Sequence, residues 1–205
     1  MTDSRRFERA IERFDAANAE DPNSGSVAGQ ARPKELLYAE RLTAMLGRFA
    51  PEASEALRLA ARCQHIQRWK IPRSDYPMTR AGYHQWRARL RDFHADFAAS
   101  ILSAVGYDDT MTGRVRSLIR KEGLKIDPEA QALEDVVALV FFESYLDEFV
   151  DRHGDYDEAK FSDILSRTAK KMSARGREAA LTMITLPAAL EPVVRNAMGG
   201  PDTIR

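Results

Sequence analysis

The chain has 205 residues, only one cysteine and no long apolar run, and both shortages narrow the class of protein. With Cys63 as its single cysteine, it cannot form an internal disulfide, which fits a reducing compartment. No stretch reaches the roughly 18 apolar residues that a membrane helix needs. The basic start of the chain also lacks the apolar core of a signal peptide. We therefore expect a cytoplasmic protein that does not bind a membrane.

Familiar catalytic motifs are missing as well. The sequence has no glycine-rich phosphate loop, no His-Glu-x-x-His, no Cys-x-x-Cys and no Gly-x-Ser-x-Gly. Cys63 lies on the apolar side of its predicted helix, where we expect an inert core thiol. Because the net charge is zero, bulk attraction does not make the whole molecule a binder of polyanions. A binding site must therefore be sought in local clusters of charge.

Apolar residues recur mainly at helical spacing, and this pattern predicts a single all-α domain. Its N-terminal helix lies within residues 1–22, a flexible loop covers 23–32, a helical core covers 33–196, and 197–205 form a frayed tail. No strand pair is predicted.

Three of the predicted helices carry most of the candidate site residues named below. One runs from Pro51 to about Trp69, and a long one begins after its cap Thr79. Two prolines keep the connection between them out of regular helix. A third starts at Asp127-Pro128 and continues to Gly154, with apolar residues nearly all round, so we predict a buried central helix.

Basic charge and aromatic rings concentrate between Arg62 and Arg91. This stretch carries eight basic residues against one acid and includes both tryptophans of the chain. Seven of the eight are arginine, whose planar fork matches the geometry of phosphate and carboxylate groups. The pattern predicts a folded pocket for an anion. The candidate ligand-binding residues are Arg62, Arg68, Trp69, Arg73, Tyr76, Arg80, Tyr83, Trp86 and Arg87.

Other uses of the same residues remain open. Residues 125–160 carry eleven acids against three cations, so the basic stretch could pair with them inside one chain or between two copies. Arginine mixed with aromatics also suits stacking on unpaired RNA bases. The composition therefore leaves three functions: binding a phosphorylated small molecule such as a nucleotide, binding RNA, or a non-catalytic dimerising interaction.

Histidines and carboxylates offer further candidates. His84 and His94 are ten residues apart on one predicted helix, so both could reach a common pocket or simply lie on the surface. Glu134 and Asp135 fall in the first turns of the buried helix. A buried carboxylate needs a metal or an arginine beside it, and Arg62 or Arg68 could form such an ion pair.

Several short sequence segments resemble those of a bacterial and fungal protein family of unknown function. Members of this family are sometimes labelled glutamyl-tRNA synthetase. The segments are Gln64–Arg73, Tyr76-Pro77, Gly82-Tyr83 followed by Trp86-Arg87, and Gln131–Val136. The resemblance spans about Phe7 to Arg195. It implies no reaction, since nothing in the chain resembles a synthetase active site.

The segment Leu59–Ile66 is similar to the helix of HD-superfamily phosphohydrolases that ends in adjacent His and Asp residues. This resemblance implies an orthogonal helical bundle that binds a divalent metal such as zinc, manganese or iron. In the order of those ligands, Glu40 would take the place of the first histidine, His65 that of the pair's histidine, and Asp135 that of the distant aspartate. Ile66 stands where the aspartate of the pair would be.

Extended members of that superfamily add histidines where His84 and His94 stand. The candidate metal ligands are therefore Glu40, His65, His84, His94 and Asp135, and the candidate catalytic residues are His65, Glu134 and Asp135. With a metal bound, the chain would be a phosphohydrolase whose arginines hold the phosphate. Without one, the same arginines would still form an anion receptor, with an aromatic ring stacking on a base.

Overall fold

The computed structural model describes residues 3–27, 29–154 and 157–199, most of which are helical. The predicted all-α class is confirmed. The contacts group the chain into two compact units, unit 1 (Met1–Gly123) and unit 2 (Leu124–Arg205), where the sequence predicts a single core. Among the described helices, none combines the length and apolar content required to cross a bilayer.

Unit 1 contains a small hairpin and five helices in its described part. They are α1 (Asp3–Ala19), β1 (Ser24–Val27), β2 (Gln30–Pro33), α2 (Lys34–Phe49), α3 (Glu55–Cys63), α4 (Arg80–Ala104) and α5 (Asp109–Arg120). Short 3-10 turns at Arg68–Lys70 and Arg73–Asp75 connect α3 to α4.

The hairpin corrects the prediction of a loop without strands. β1 and β2 pair antiparallel, with Ser24 opposite Pro33. The Asp21 carboxylate holds the base of the hairpin, because it accepts hydrogen bonds from the backbone N–H of Asn23 (2.9 Å) and of Glu35 (3.0 Å). Four-residue strands show too little alternation to be detected in a sequence, and here a side chain from outside the strands fixes their ends.

The helix predicted from Pro51 to Trp69 is shorter than expected. α3 starts after Ser54, whose hydroxyl caps its first turn, and it ends at Cys63. Gln67 then adopts a left-handed backbone (φ 50°), and its N–H donates to the side chain of Asn18 in α1 (2.9 Å). This tertiary contact turns the chain, so His65 and Arg68 lie outside α3 and not within one continuous helix.

The core of unit 1 lies where α1 to α5 meet. Phe14, Leu42, Leu59, Ile66 and Leu90 are each at most 1% exposed. Burying a large apolar side chain contributes about 2 kcal/mol, so this cluster holds the helices together. Cys63 belongs to the same core, and its burial raises the pKa of the thiol, as expected for an inert cysteine.

Unit 2 is built from helices alone in its described part. They are α6 (Pro128–Ser144), α7 (Leu146–Arg152), α8 (Glu158–Ala169), α9 (Ala174–Thr182) and α10 (Glu191–Gly199). α6 packs on α9, and α10 packs on α8 and α9. The predicted central helix is interrupted at Tyr145, which separates α6 from α7. Of the predicted tail, 197–199 are helical and the rest lies outside the described residues.

Candidate functional site

Charged and aromatic side chains from four parts of unit 1 meet near the end of α3. We call this group the His65 cluster. It consists of Glu35 and Tyr38 from α2, Gln64, His65 and Arg68 from the turn after α3, Arg87, Arg91 and His94 from α4, and Lys121 from the end of α5.

His65 is enclosed by other rings. Its imidazole stacks on Tyr38, with centroids 4.4 Å apart and planes 9° from parallel, and it lies 5.7 Å from the His94 ring. Burial, followed by the charge of Arg68, lowers the pKa of His65 well below its usual value. The imidazole is therefore neutral at physiological pH.

Glu35 faces His65 from the first turn of α2. Glu35 is only 8% exposed, and burial raises its pKa to about 7, although the charge of Arg68 acts in the opposite direction. Glu35 Oε2 lies 3.7 Å from His65 Nδ1, within ion-pair distance but beyond a hydrogen bond. Since His65 stays neutral, this contact is not a fixed ion pair, and Glu35 can gain or lose a proton near neutrality.

His94 is held in one tautomer by the backbone. Its Nδ1 lies 2.8 Å from the carbonyl oxygen of Ile66, which can only accept a hydrogen, so Nδ1 carries the proton. The ring is 2% exposed, and its burial lowers the pKa of His94 to about 3. Nε2 is thus a lone-pair acceptor, and within the described ranges it has no hydrogen-bond partner.

A cavity of about 10 Å³ lies in the His65 cluster, and His94 and Gln64 both line it. That volume is about enough for one water molecule. Gln64 is 4% exposed, and its Oε1, like His94 Nε2, has no partner among the described residues. Two buried acceptor atoms without donors therefore belong to residues that line the same small space.

The cavity is also lined by cations. Arg68, Arg87 and Arg91 contribute to its wall together with Lys121. In the described part of the chain, no carboxylate lies within ion-pair distance of any of the three arginines. Burial and then the charge of the neighbouring Arg87 lower the pKa of Arg68, while Glu35 acts in the opposite direction. The guanidinium groups of Arg68 and Arg87 are thus close enough to repel each other.

An aromatic rim lies beside these arginines. The Arg68 guanidinium is 4.8 Å from the Trp86 ring centroid, a cation–π distance. Trp86 is fixed by its Nε1, which donates to the Ile71 carbonyl (2.9 Å). Tyr83, 45% exposed, lies 5.8 Å from Trp86 and presents an open ring. Arg73 has a different role. It stabilises the loop between α3 and α4, because it donates to the backbone carbonyls of Tyr76 (2.9 Å) and Pro77 (2.7 Å).

Gly82 allows that loop to lie against α4. A Cβ at this position would be 2.2 Å from the Pro77 carbonyl oxygen. We expect Gly82→Ala to lower the free energy of unfolding by about 1–3 kcal/mol, since loop and helix must separate. Thermal unfolding followed by circular dichroism measures this. Gly113→Ala in α5 is the matched control, because its Cβ would meet no described atom within 4 Å; equal losses would contradict the prediction.

The predicted ligand-binding residues separate into groups. Arg68 and Arg87 line the cavity, whereas Trp69, Tyr76 and Arg80 do not. Arg62 is engaged elsewhere, because its Nε and Nη2 donate to the Asp15 carboxylate at 2.6 and 2.7 Å. Arg62 therefore pairs with Asp15 of α1, whereas the sequence suggested an acidic partner from residues 125–160.

The predicted metal ligands of unit 1 do not converge. Glu40 is bound by both terminal nitrogens of Arg32 (2.7 and 2.8 Å), and His84 is an exposed residue at the edge of Tyr83. His65 and His94 do approach each other, but the described residues contain no group of three or more His, Cys, Asp or Glu able to hold a metal. The donors of the structure therefore do not fit the metal that the HD resemblance implies.

Asp135 and Glu134 belong to unit 2. Asp135 Oδ1 accepts from the Ser173 N–H (2.8 Å) and from Gln131 Nε2 (3.1 Å), and its Oδ2 accepts from the Ser173 hydroxyl (2.6 Å). These bonds occupy both oxygens and fix the start of α9. Glu134, on the same helix, is also buried.

Five members of the His65 cluster were missed from the sequence: Glu35, Tyr38, Gln64, Arg91 and Lys121. Helical spacing could have revealed Arg91, which is four residues after Arg87 and three before His94. Glu35 and Lys121 gave no such signal, because the ends of two other helices bring them to the cluster.

The comparisons with known proteins identify the family. Residues 8–194 match the model of a family described as Domain of unknown function (DUF4202). Since the match covers most of the chain, the protein belongs to this family. No curated protein and no solved structure matches it.

Proposed function

We propose that unit 1 binds a phosphorylated small molecule, such as a nucleotide, at the His65 cluster. The observation that carries the proposal is the set of arginines around the cavity, for which the described residues supply no carboxylate partner. Phosphoryl oxygens would accept from the guanidinium groups and offset their mutual repulsion.

The size of the cavity indicates how such a ligand would sit. About 10 Å³ admits a single oxygen atom, so most of the phosphoryl group would lie at the mouth, among the half-buried Arg68 and Arg87. The exposed ring of Tyr83 beside Trp86 offers a surface for a stacked base. This aromatic rim is what favours a nucleotide over a bare anion.

Hydrolysis of the ligand is a second candidate, favoured by Glu35. A carboxyl whose pKa is raised to about 7 suits proton transfer at physiological pH, and it faces the neutral His65 at 3.7 Å. Release of inorganic phosphate from nucleotides by the wild-type protein, lost in Glu35→Gln with nucleotide binding retained, would support this reaction. Release that persists in Glu35→Gln would remove Glu35 from it.

Substitution of Arg87 tests the binding proposal. We expect Arg87→Gln to weaken the binding of inorganic phosphate by about tenfold or more, since one charge-assisted hydrogen bond is lost. Isothermal titration calorimetry at low salt measures the affinity.

Arg89→Gln is the matched control. It removes the same charge from the same helix, but Arg89 is exposed and does not line the cavity. Equal weakening by the two variants would mean a diffuse electrostatic effect. No binding of phosphate or of a nucleotide to the wild-type protein would overturn the proposal.

A further inference from the structure

We infer that the His65 cluster selects oxyanions that carry an O–H hydrogen, and that His94 and Gln64 are the residues that select them. The corresponding ligands are inorganic phosphate and the singly protonated form of a phosphomonoester. This inference rests on the proposed function, because it concerns how the same site would recognise a phosphoryl group.

The first observation is the fixed tautomer of His94. Its Nδ1 hydrogen is committed to the Ile66 carbonyl oxygen, so Nε2 can only accept. That atom is buried and, in the described part of the molecule, lacks a donor. An unsatisfied buried acceptor costs about 1–3 kcal/mol, which a donor supplied by the ligand would recover.

The second observation is that Gln64 adds another acceptor to the same cavity. Its Oε1 is buried and has no partner in the described ranges. A fully deprotonated oxygen pushed into this space would meet lone pairs and gain no hydrogen bond from either atom. A protonated oxygen would donate to one of them, while the other oxygens of the anion remained with the arginines.

The surrounding cations do not make this distinction. Arg68 and Arg87 donate to any oxyanion of suitable shape, whatever its protonation. The cations therefore supply affinity, and the two acceptors supply the selection. Sites that hydrogen-bond a ligand hydroxyl reject analogues without it, because their buried polar groups are then left unpaired.

Phosphate and sulfate provide the test, because the two tetrahedral anions have nearly the same size but only phosphate carries a hydrogen at pH 7. We expect the wild-type protein to bind inorganic phosphate at least about tenfold more tightly than sulfate, by calorimetry at fixed ionic strength. Gln64→Met and His94→Phe each remove one acceptor and should lower the preference for phosphate, with little change for sulfate. Arg87→Gln should weaken both anions equally.

The outcomes separate the two proposals. Equal affinity for phosphate and sulfate in the wild-type protein overturns the selection but leaves anion binding intact. Absence of binding for both anions overturns the selection, and absence of nucleotide binding as well overturns the proposed function. A phosphate preference unchanged in folded Gln64→Met and His94→Phe, as judged by circular dichroism, overturns the role of these two residues. The wild-type comparison decides the first two outcomes even if a variant fails to fold.

Discussion

Replacing Asp135 with alanine is expected to lower the free energy of unfolding by about 3 kcal/mol, since buried hydrogen-bonding groups lose their acceptor. Asp135 is 1% exposed and accepts three hydrogen bonds from Ser173 and Gln131. Ser173 caps the N-terminus of α9, so the carboxylate ties that helix to α6. Urea unfolding of the full chain, followed by circular dichroism, measures the loss.

Asp135→Asn is the matched control for this prediction. It keeps one acceptor oxygen and carries no charge. Burial raises the pKa of Asp135, so removing the charge relieves part of the desolvation penalty. We therefore expect a loss of about 1 kcal/mol, clearly smaller than for alanine. If Asp135→Ala were as stable as the wild type but failed to bind phosphate, the residue would have the ligand-site role suggested by the HD resemblance.

Glu35→Gln is expected to make the protein more stable at pH 8 and to leave its stability nearly unchanged at pH 4.5. In the folded protein the pKa of Glu35 is raised from 4.5 to about 7. Below pH 4.5 the carboxyl is protonated in both the folded and the unfolded chain, so folding is not penalised. As the pH rises through 7, the unfolded chain ionises first and the folded state loses about 3 kcal/mol relative to it.

The difference in unfolding free energy between Glu35→Gln and wild type is the quantity to measure, by urea titration at pH 4.5, 6 and 8. The lowered pKa values of His65 and His94 also reduce stability as the pH falls below 6.5, but they do so in both proteins and largely cancel. Glu52→Gln, at an exposed position, is the control. A difference that stays flat with pH would show that burial does not perturb Glu35.

Much of the helical framework follows from local signals in the sequence. Thr79 caps α4 and α6 starts at Asp127-Pro128, both as predicted, and Asp127 is the cap of α6. Such caps are local signals, because the side chain binds N–H groups only two or three residues ahead. The concentration of arginines and aromatics between Arg62 and Arg91 is likewise visible from composition alone. Three of those arginines, Arg68, Arg87 and Arg91, do line one cavity.

The composition of the His65 cluster depended on contacts between residues far apart in the chain. Arg62 was expected in the anion pocket, but its guanidinium binds Asp15 of α1, 47 residues away. Glu35 enters the cluster because the helix that follows the hairpin starts next to His65, and no local pattern encodes that position.

The sequence by itself therefore determined that the protein is helical, where several of its helices begin and which stretch carries the positive charge. Only the tertiary structure decided which of those charges are left without a carboxylate, and which buried acceptors face them. The reason is physical: caps and periodicity act over a few residues, whereas burial, ion pairing and pKa values depend on what the folded chain brings within a few ångströms.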